Sequence, residues 1–100
     1  MLIKNNTSKE YILCSAILRK EPKPETILRN SQEHLCELGL RHCSIRDRFP
    51  GELQTGPAAQ GFFTSKSRFV SREEAEHIAR ECGQLQKPLI GSVLTSEDLW

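Results

Sequence analysis

One hundred residues make one ordinary domain, and a chain of this length buries only about two-thirds of its unfolded surface, leaving room for a single thin core. With 37% hydrophobic and 27% charged residues, the composition is globular and lacks the signature of a disordered chain. Fourteen Lys and Arg against thirteen Asp and Glu leave a net charge of +1, which excludes a global electrostatic footprint for duplex DNA or an anionic membrane.

In chain order, the polar start from Met1 to Glu10 lacks the apolar run of a secretory signal, and no stretch approaches the roughly 20 apolar residues of a membrane span. The expectation is a cytoplasmic protein with residues 1–10 flexible. Tyr11-Ile-Leu-Cys-Ser-Ala-Ile-Leu18 is a short apolar run without helix caps and reads as a buried strand. The prolines of Arg19-Lys-Glu-Pro-Lys-Pro24 then force a solvated bend.

Past Ile27-Leu-Arg29, Asn30 or Ser31 can cap a helix carrying Leu35 and Leu38 and stopping at Gly39. Residues 46–60, with Pro50-Gly51 and Gly56-Pro57, show no sustained period and read as a long loop. Gly61-Phe-Phe-Thr-Ser65 and Arg68-Phe-Val70 read as two extended pieces around a turn at Lys66-Ser67.

Ser71 caps a second helix, with Glu74 completing a capping box and Ala75, Ile78, Ala79 and Cys82 forming an i, i+3, i+4, i+7 stripe that ends at Gly83. Leu89 to Leu94 reads as a last strand, and Thr95 to Asp98 as a capped turn. The sum is an α+β fold: a small antiparallel sheet with two short helices in a single domain over residues 1–100. Its thin core and short strands suggest an oligomer, a dimer at least.

Cys14, Cys36, Cys43 and Cys82 contain no C-x-x-C pair, so we expect reduced thiols, Cys14 and Cys82 packing as small hydrophobes. His34, Cys36, His42 and Cys43 lack a recognised zinc-ligand spacing, and neither metal nor cofactor is expected. No nucleophile stands in an assignable relation to a base, so no catalytic residue is expected.

The best anion-site candidate is Thr64-Ser-Lys-Ser-Arg-Phe-Val-Ser-Arg72, which puts hydroxyls, three cations and a helix start within nine residues. Thr64, Ser65, Arg68 and Arg72 are its donors, and Phe62 or Phe69 could stack a base beside them. The alternative is structural: Ser71 only caps, Arg72 is solvated, and Arg68 pairs with a carboxylate such as Glu97 or Asp98. Phe62 and Phe63 are neighbours in a strand, so they cannot both be buried on one side.

Gly61-Phe62, Thr64-Ser65, Arg68-Phe69-Val70, Arg72-Glu73-Glu74-Ala75, Ile78-Ala79, Gly83-Gln84 and Ser96-Glu97-Asp98-Leu99-Trp100 resemble a signature of small phage and bacterial proteins. Within that group the layout resembles the anti-Thoeris sponges, the Thoeris anti-defence protein one family. The resemblance covers the last forty residues well. Upstream, Arg29 resembles an arginine of an Arg-His segment, with Asn30 standing where the histidine would.

The resemblance implies an oligomer that sequesters a cyclic ADP-ribose signal, or a cyclic oligonucleotide, without cleaving it. Arg29 and Arg68 would then hold phosphates and Phe62 the base, with Gln84 of the signature completing the ligand set. Two rival readings use the same residues. One is a protein-interaction module that inhibits a bacterial defence enzyme; the other is a small nucleotide-processing enzyme using His42 or Asp98.

Overall fold

The computed structural model describes residues 9–24 and 30–100; Arg29 and the segment 1–8 lie outside the described residues. Four antiparallel strands form one sheet in the order β2-β1-β3-β4. They are β1 (Ile12–Leu18), β2 (Cys36–Gly39), β3 (Gln60–Thr64) and β4 (Phe69–Val70). The helices are α1 (His42–Arg48), α2 (Arg72–Glu81) and α3 (Ser96–Leu99), with 3-10 turns at Glu33–Leu35 and Pro57–Ala59. The α+β class and the antiparallel sheet are as the sequence predicts.

Strand β1 is central because its apolar run can be buried on both sides. Its register sets Ser15 opposite Phe62 and Ile17 opposite Gln60, while Phe62 pairs onward with Val70. Phe62 and Val70 meet Ile12, Ala75, Ile78, Ala79, Leu85 and Leu94 in the main core, and Ile17 meets Ile45, Leu53 and Ala59 beneath α1. The opposite face gathers Ala16, Cys36 and Phe63, flanked by Cys14, Leu18, Leu38 and Phe69. Phe62 and Phe63 are therefore both buried, on opposite faces, as strand alternation requires.

Helix α2 matches its sequence signals. Ser71 Oγ accepts the Glu74 N–H at 3.1 Å, and Ala75, Ile78 and Ala79 are buried while Cys82, at the C-terminal cap, is half-buried. Gly83 follows at φ 90°, a left-handed conformation that costs glycine no Cβ clash.

Three expectations are corrected. The helix expected after Asn30–Ser31 is a single 3-10 turn followed by β2, whose alternating residues zip onto β1 as Leu18↔Cys36 and Ala16↔Leu38. Gly39 is not a helix stop: it gives room to Ile45, whose Cγ1 would lie 2.7 Å from an added Cβ. The expected long loop at 46–60 contains the end of α1, an isolated bridge from Leu53 to Arg19, the second 3-10 turn and the start of β3. Finally, Leu89 to Leu94 is not a strand, whereas the Thr95–Asp98 capping box forms.

Both outer strands have neighbours at their edges. The Phe69 N–H of β4 donates to Gln32 Oε1 at 2.9 Å, and Arg48 Nη2 donates to the Leu38 carbonyl of β2 at 2.9 Å. Where β2 stops short of the start of β1, the Gln84 side chain takes its place. Its Oε1 accepts the Ile12 N–H at 2.7 Å and its Nε2 donates to the Ile12 carbonyl at 2.9 Å.

Candidate functional site

The β3–β4 turn brings Thr64, Ser65 and Arg68 together, and the chain's own start occupies them. Arg68 Nε and Nη2 each lie 2.8 Å from a Glu10 oxygen, a bidentate fork, and Nη1 lies 3.0 Å from Glu74. The expected partners Glu97 and Asp98 are thus replaced by Glu10 and Glu74. Thr64 donates to Glu10 as well, and Ser65 exchanges bonds with Tyr11 through its hydroxyl and its backbone N–H.

The Arg68 hydrogen bonds hold the Glu10 carboxyl below the usual carboxylate range, outweighing the opposing effect of burial. A lowered native pKa means that the unfolded chain takes up the proton first, so this stabilisation is present above the unfolded value of 4.5 and is lost as pH falls through the native one. Urea midpoints should therefore drop between about pH 5 and about pH 3, and Glu10→Gln should flatten that drop while lowering the neutral-pH midpoint. An unchanged pH profile in the variant would show that the fork contributes nothing.

A second arginine faces different surroundings. At the start of α2, a groove of about 320 Å³ is lined by Pro57, Ala58, Gln60, Ser71, Arg72, Glu73 and Val93. Arg72 Nη2 donates to Gln60 Oε1 at 2.9 Å, while its Nε is buried and has no hydrogen-bond partner. Leaving such a donor unpaired costs on the order of 1–3 kcal/mol. The groove thus combines an under-used guanidinium and the first turn of a ten-residue helix with an apolar wall from Pro57, Ala58 and Val93. Ligand sites typically pair such a wall with a few polar groups.

The remaining candidates serve the fold. Phe62 is fully buried, its ring edge-on to His42 at 5.3 Å and 6.4 Å from Trp100, so it is not presented for base stacking. Phe69 packs half-buried on the opposite face, and Gln84 holds Ile12.

His42 serves the fold as well. It opens α1, buried, with Nε2 2.8 Å from the Gly61 carbonyl oxygen, and burial, helped by Arg72 and Arg46, pushes its pKa below 6.5. Asp98 is also buried. Burial alone would raise its pKa, but bonds from the Thr95 N–H, the Ile90 N–H and the Thr95 hydroxyl prevail and hold it low.

Cys36 is the fully buried thiol, its pKa pushed up to about 12 by burial, while Cys43 is exposed. Among the described residues no three His, Cys, Asp or Glu side chains are grouped to hold a metal ion, and no helix is long and apolar enough to cross a membrane.

Gln60, Glu73 and Val93 were missed as candidates by the sequence reading. The signal that could have found them was weak: Gln60 and Val93 lie 33 residues apart and become neighbours only through the sheet and the C-terminal arm.

No curated protein and no solved structure matches the chain. A family model does, over residues 11–100, taking in every strand and helix described above, and on that match the chain belongs to the phage T4 y16D protein family.

Proposed function

We propose that the protein is a phage-encoded binder that sequesters a phosphorylated nucleotide signal, of the cyclic ADP-ribose or cyclic oligonucleotide type, in the groove at the start of α2. The observation that carries this reading is Arg72, whose guanidinium lines the groove with a single side-chain hydrogen bond, from Nη2 to Gln60. A phosphate arriving there would meet a charged fork and the free N–H groups of the first helical turn. The resemblance of the signature to the anti-Thoeris sponges supports the same class of ligand and an assembly of two or more copies.

Arg72 replaces Arg68 as the main phosphate contact in this proposal, because the three nitrogens of Arg68 are already committed to Glu10 and Glu74. Sequestration without cleavage is part of it: the Ser71 hydroxyl at the groove is engaged in capping α2. Incubation with cyclic ADP-ribose, removal of free ligand, heat release and chromatography should return the molecule intact. Arg72→Ala should weaken binding by about 1.5–3 kcal/mol, the range for charge-assisted hydrogen bonds, and lysine should rescue only part because a point charge lacks the planar fork. Equal affinity of wild type and Arg72→Ala in calorimetry would remove the site, and recovery of hydrolysed ligand would move the protein to the enzymes.

A further inference from the structure

The arginines of the fold are not held alike. Arg19 bonds the carboxylates of Glu37 and Glu52, Arg68 those of Glu10 and Glu74, and Arg80 that of Glu76. Arg72 forms no ion pair among the described residues; its Nη2 donates to the uncharged amide oxygen of Gln60 at 2.9 Å. Both ends of that bond stand on regular structure. Gln60 opens β3 and pairs with the fully buried Ile17 of β1, and Arg72 is the first residue of α2, directly behind the Ser71 cap.

Arg72 Nε is buried with no partner, a cost that the side chain would escape by swinging out into water. The Gln60 bond opposes that escape and keeps the guanidinium on the groove that both residues line. An amide does this without bringing an opposing charge. A carboxylate in its place would make a stronger bond, as at Arg68 and Arg80, but it would offset the positive charge by which an anion is attracted. That charge is felt nearby: burial foremost, with Arg72 and Arg46 behind it, holds the His42 pKa below 6.5 against the raising effect of the Gly61 bond.

We infer that Gln60 is the positioning residue of the groove: its amide oxygen anchors the Arg72 guanidinium without cancelling its charge, so that the groove stays open to an anionic group that a carboxylate at position 60 would turn away. This inference rests on the phosphate reading given above, and the two can fail separately.

The experiment compares wild type, Gln60→Glu and Gln60→Leu by urea denaturation and by titration calorimetry with cyclic ADP-ribose and inorganic pyrophosphate. Gln60→Glu keeps the shape and adds an ion pair, so both probes should bind roughly tenfold more weakly while the urea midpoint holds or rises. Gln60→Leu keeps the charge and loses the anchor, and binding should fall severalfold. Followed by proton NMR, the His42 ring should titrate at higher pH in Gln60→Glu, where the new carboxylate offsets Arg72. Wild-type affinity in either variant would show that Gln60 does not set the contact, an unshifted His42 would show that position 60 does not reach the Arg72 charge, and loss of binding in step with a falling midpoint would show that Gln60 serves only the fold. Each of these overturns the inference and leaves the Arg72 site standing. Failure of wild type to bind either probe would take down the phosphate reading itself, and this inference with it.

Discussion

Phe62→Ala should lose about 3–5 kcal/mol of stability, the cost typical of emptying a buried aromatic site, and should change ligand affinity only through unfolding. Phe62, on strand β3, sits at 0% exposure in a core shared with Ile12, Val70, Ala75 and Leu94. The vacated space cannot collapse easily, because the backbone above and below is fixed by the pairing of β1, β3 and β4. For a domain whose whole stability is on the order of 5–15 kcal/mol, such a loss brings many molecules close to unfolding. Urea denaturation would show a lower midpoint with an unchanged slope, and Phe62→Leu should recover most of the difference. A variant as stable as wild type but unable to bind would restore Phe62 to the ligand site.

Gly61→Ala is the second large effect, and its cause is different. An added Cβ at Gly61 would lie 2.1 Å from the Val70 carbonyl oxygen and 2.7 Å from the Phe69 ring. A ring can turn; the Val70 carbonyl is backbone of the adjacent strand and can yield only if β4 moves away from β3. Moving β4 disturbs the Phe62↔Val70 pair and the entry to α2 directly behind it. The expected loss lies at the upper end of the roughly 1–3 kcal/mol seen for overpacking. Gly91→Ala is the control, since nothing lies within 4 Å of its added methyl and its stability should stay within about 0.5 kcal/mol of wild type. Equal behaviour of the two alanines would show that the close approach at Gly61 relaxes freely.

Where local chemistry decides structure, the sequence was readable. The Ser71 cap, the α2 stripe, the β3–β4 turn and the Thr95–Asp98 box each announce themselves within ten residues. Where partners far along the chain decide, it was not. Leu35 and Leu38 stand three apart, as in a helix, yet Cys36 and Leu38 alternate, as in a strand, and pairing with β1 selects the second period. Helix α1 has Arg41 at its N-cap with no side-chain cap bond, so tertiary contacts hold it: the burial of His42 and Ile45 and the bonds of His42 to Gly61 and of Arg48 to Leu38. Leu89 to Leu94 has a strand-like composition, but the Asp98 carboxylate takes the Ile90 N–H that a ladder would need.

The candidate site divides along the same line. The run from Thr64 to Arg72 is legible as rich in donors, and Arg72 lies on the groove. What the run does not reveal is that Glu10, 58 residues upstream, claims Arg68 before any ligand can. Much of the signature answers to packing as well: Phe62, Val70, Ala75, Ile78 and Ala79 are core, Gln84 holds Ile12, and Asp98 fastens the C-terminal arm.

The substitution of Gln84 for a missing strand has a consequence for how the chain is made. Ile12 and Gln84 are 72 residues apart, so the edge of the central strand stays incomplete until Gln84 has been made. Its other contacts repeat the delay, since Ile12 packs on Leu85 and Leu94 as well. Joining Ile12 to Gln84 is therefore a long-range closure, which is slower to form than the local contacts of the helices and the β3–β4 turn. A truncation that removes residues 84–100 should leave Ile12 without Gln84, Leu85 and Leu94, and so favour aggregation over partial folding.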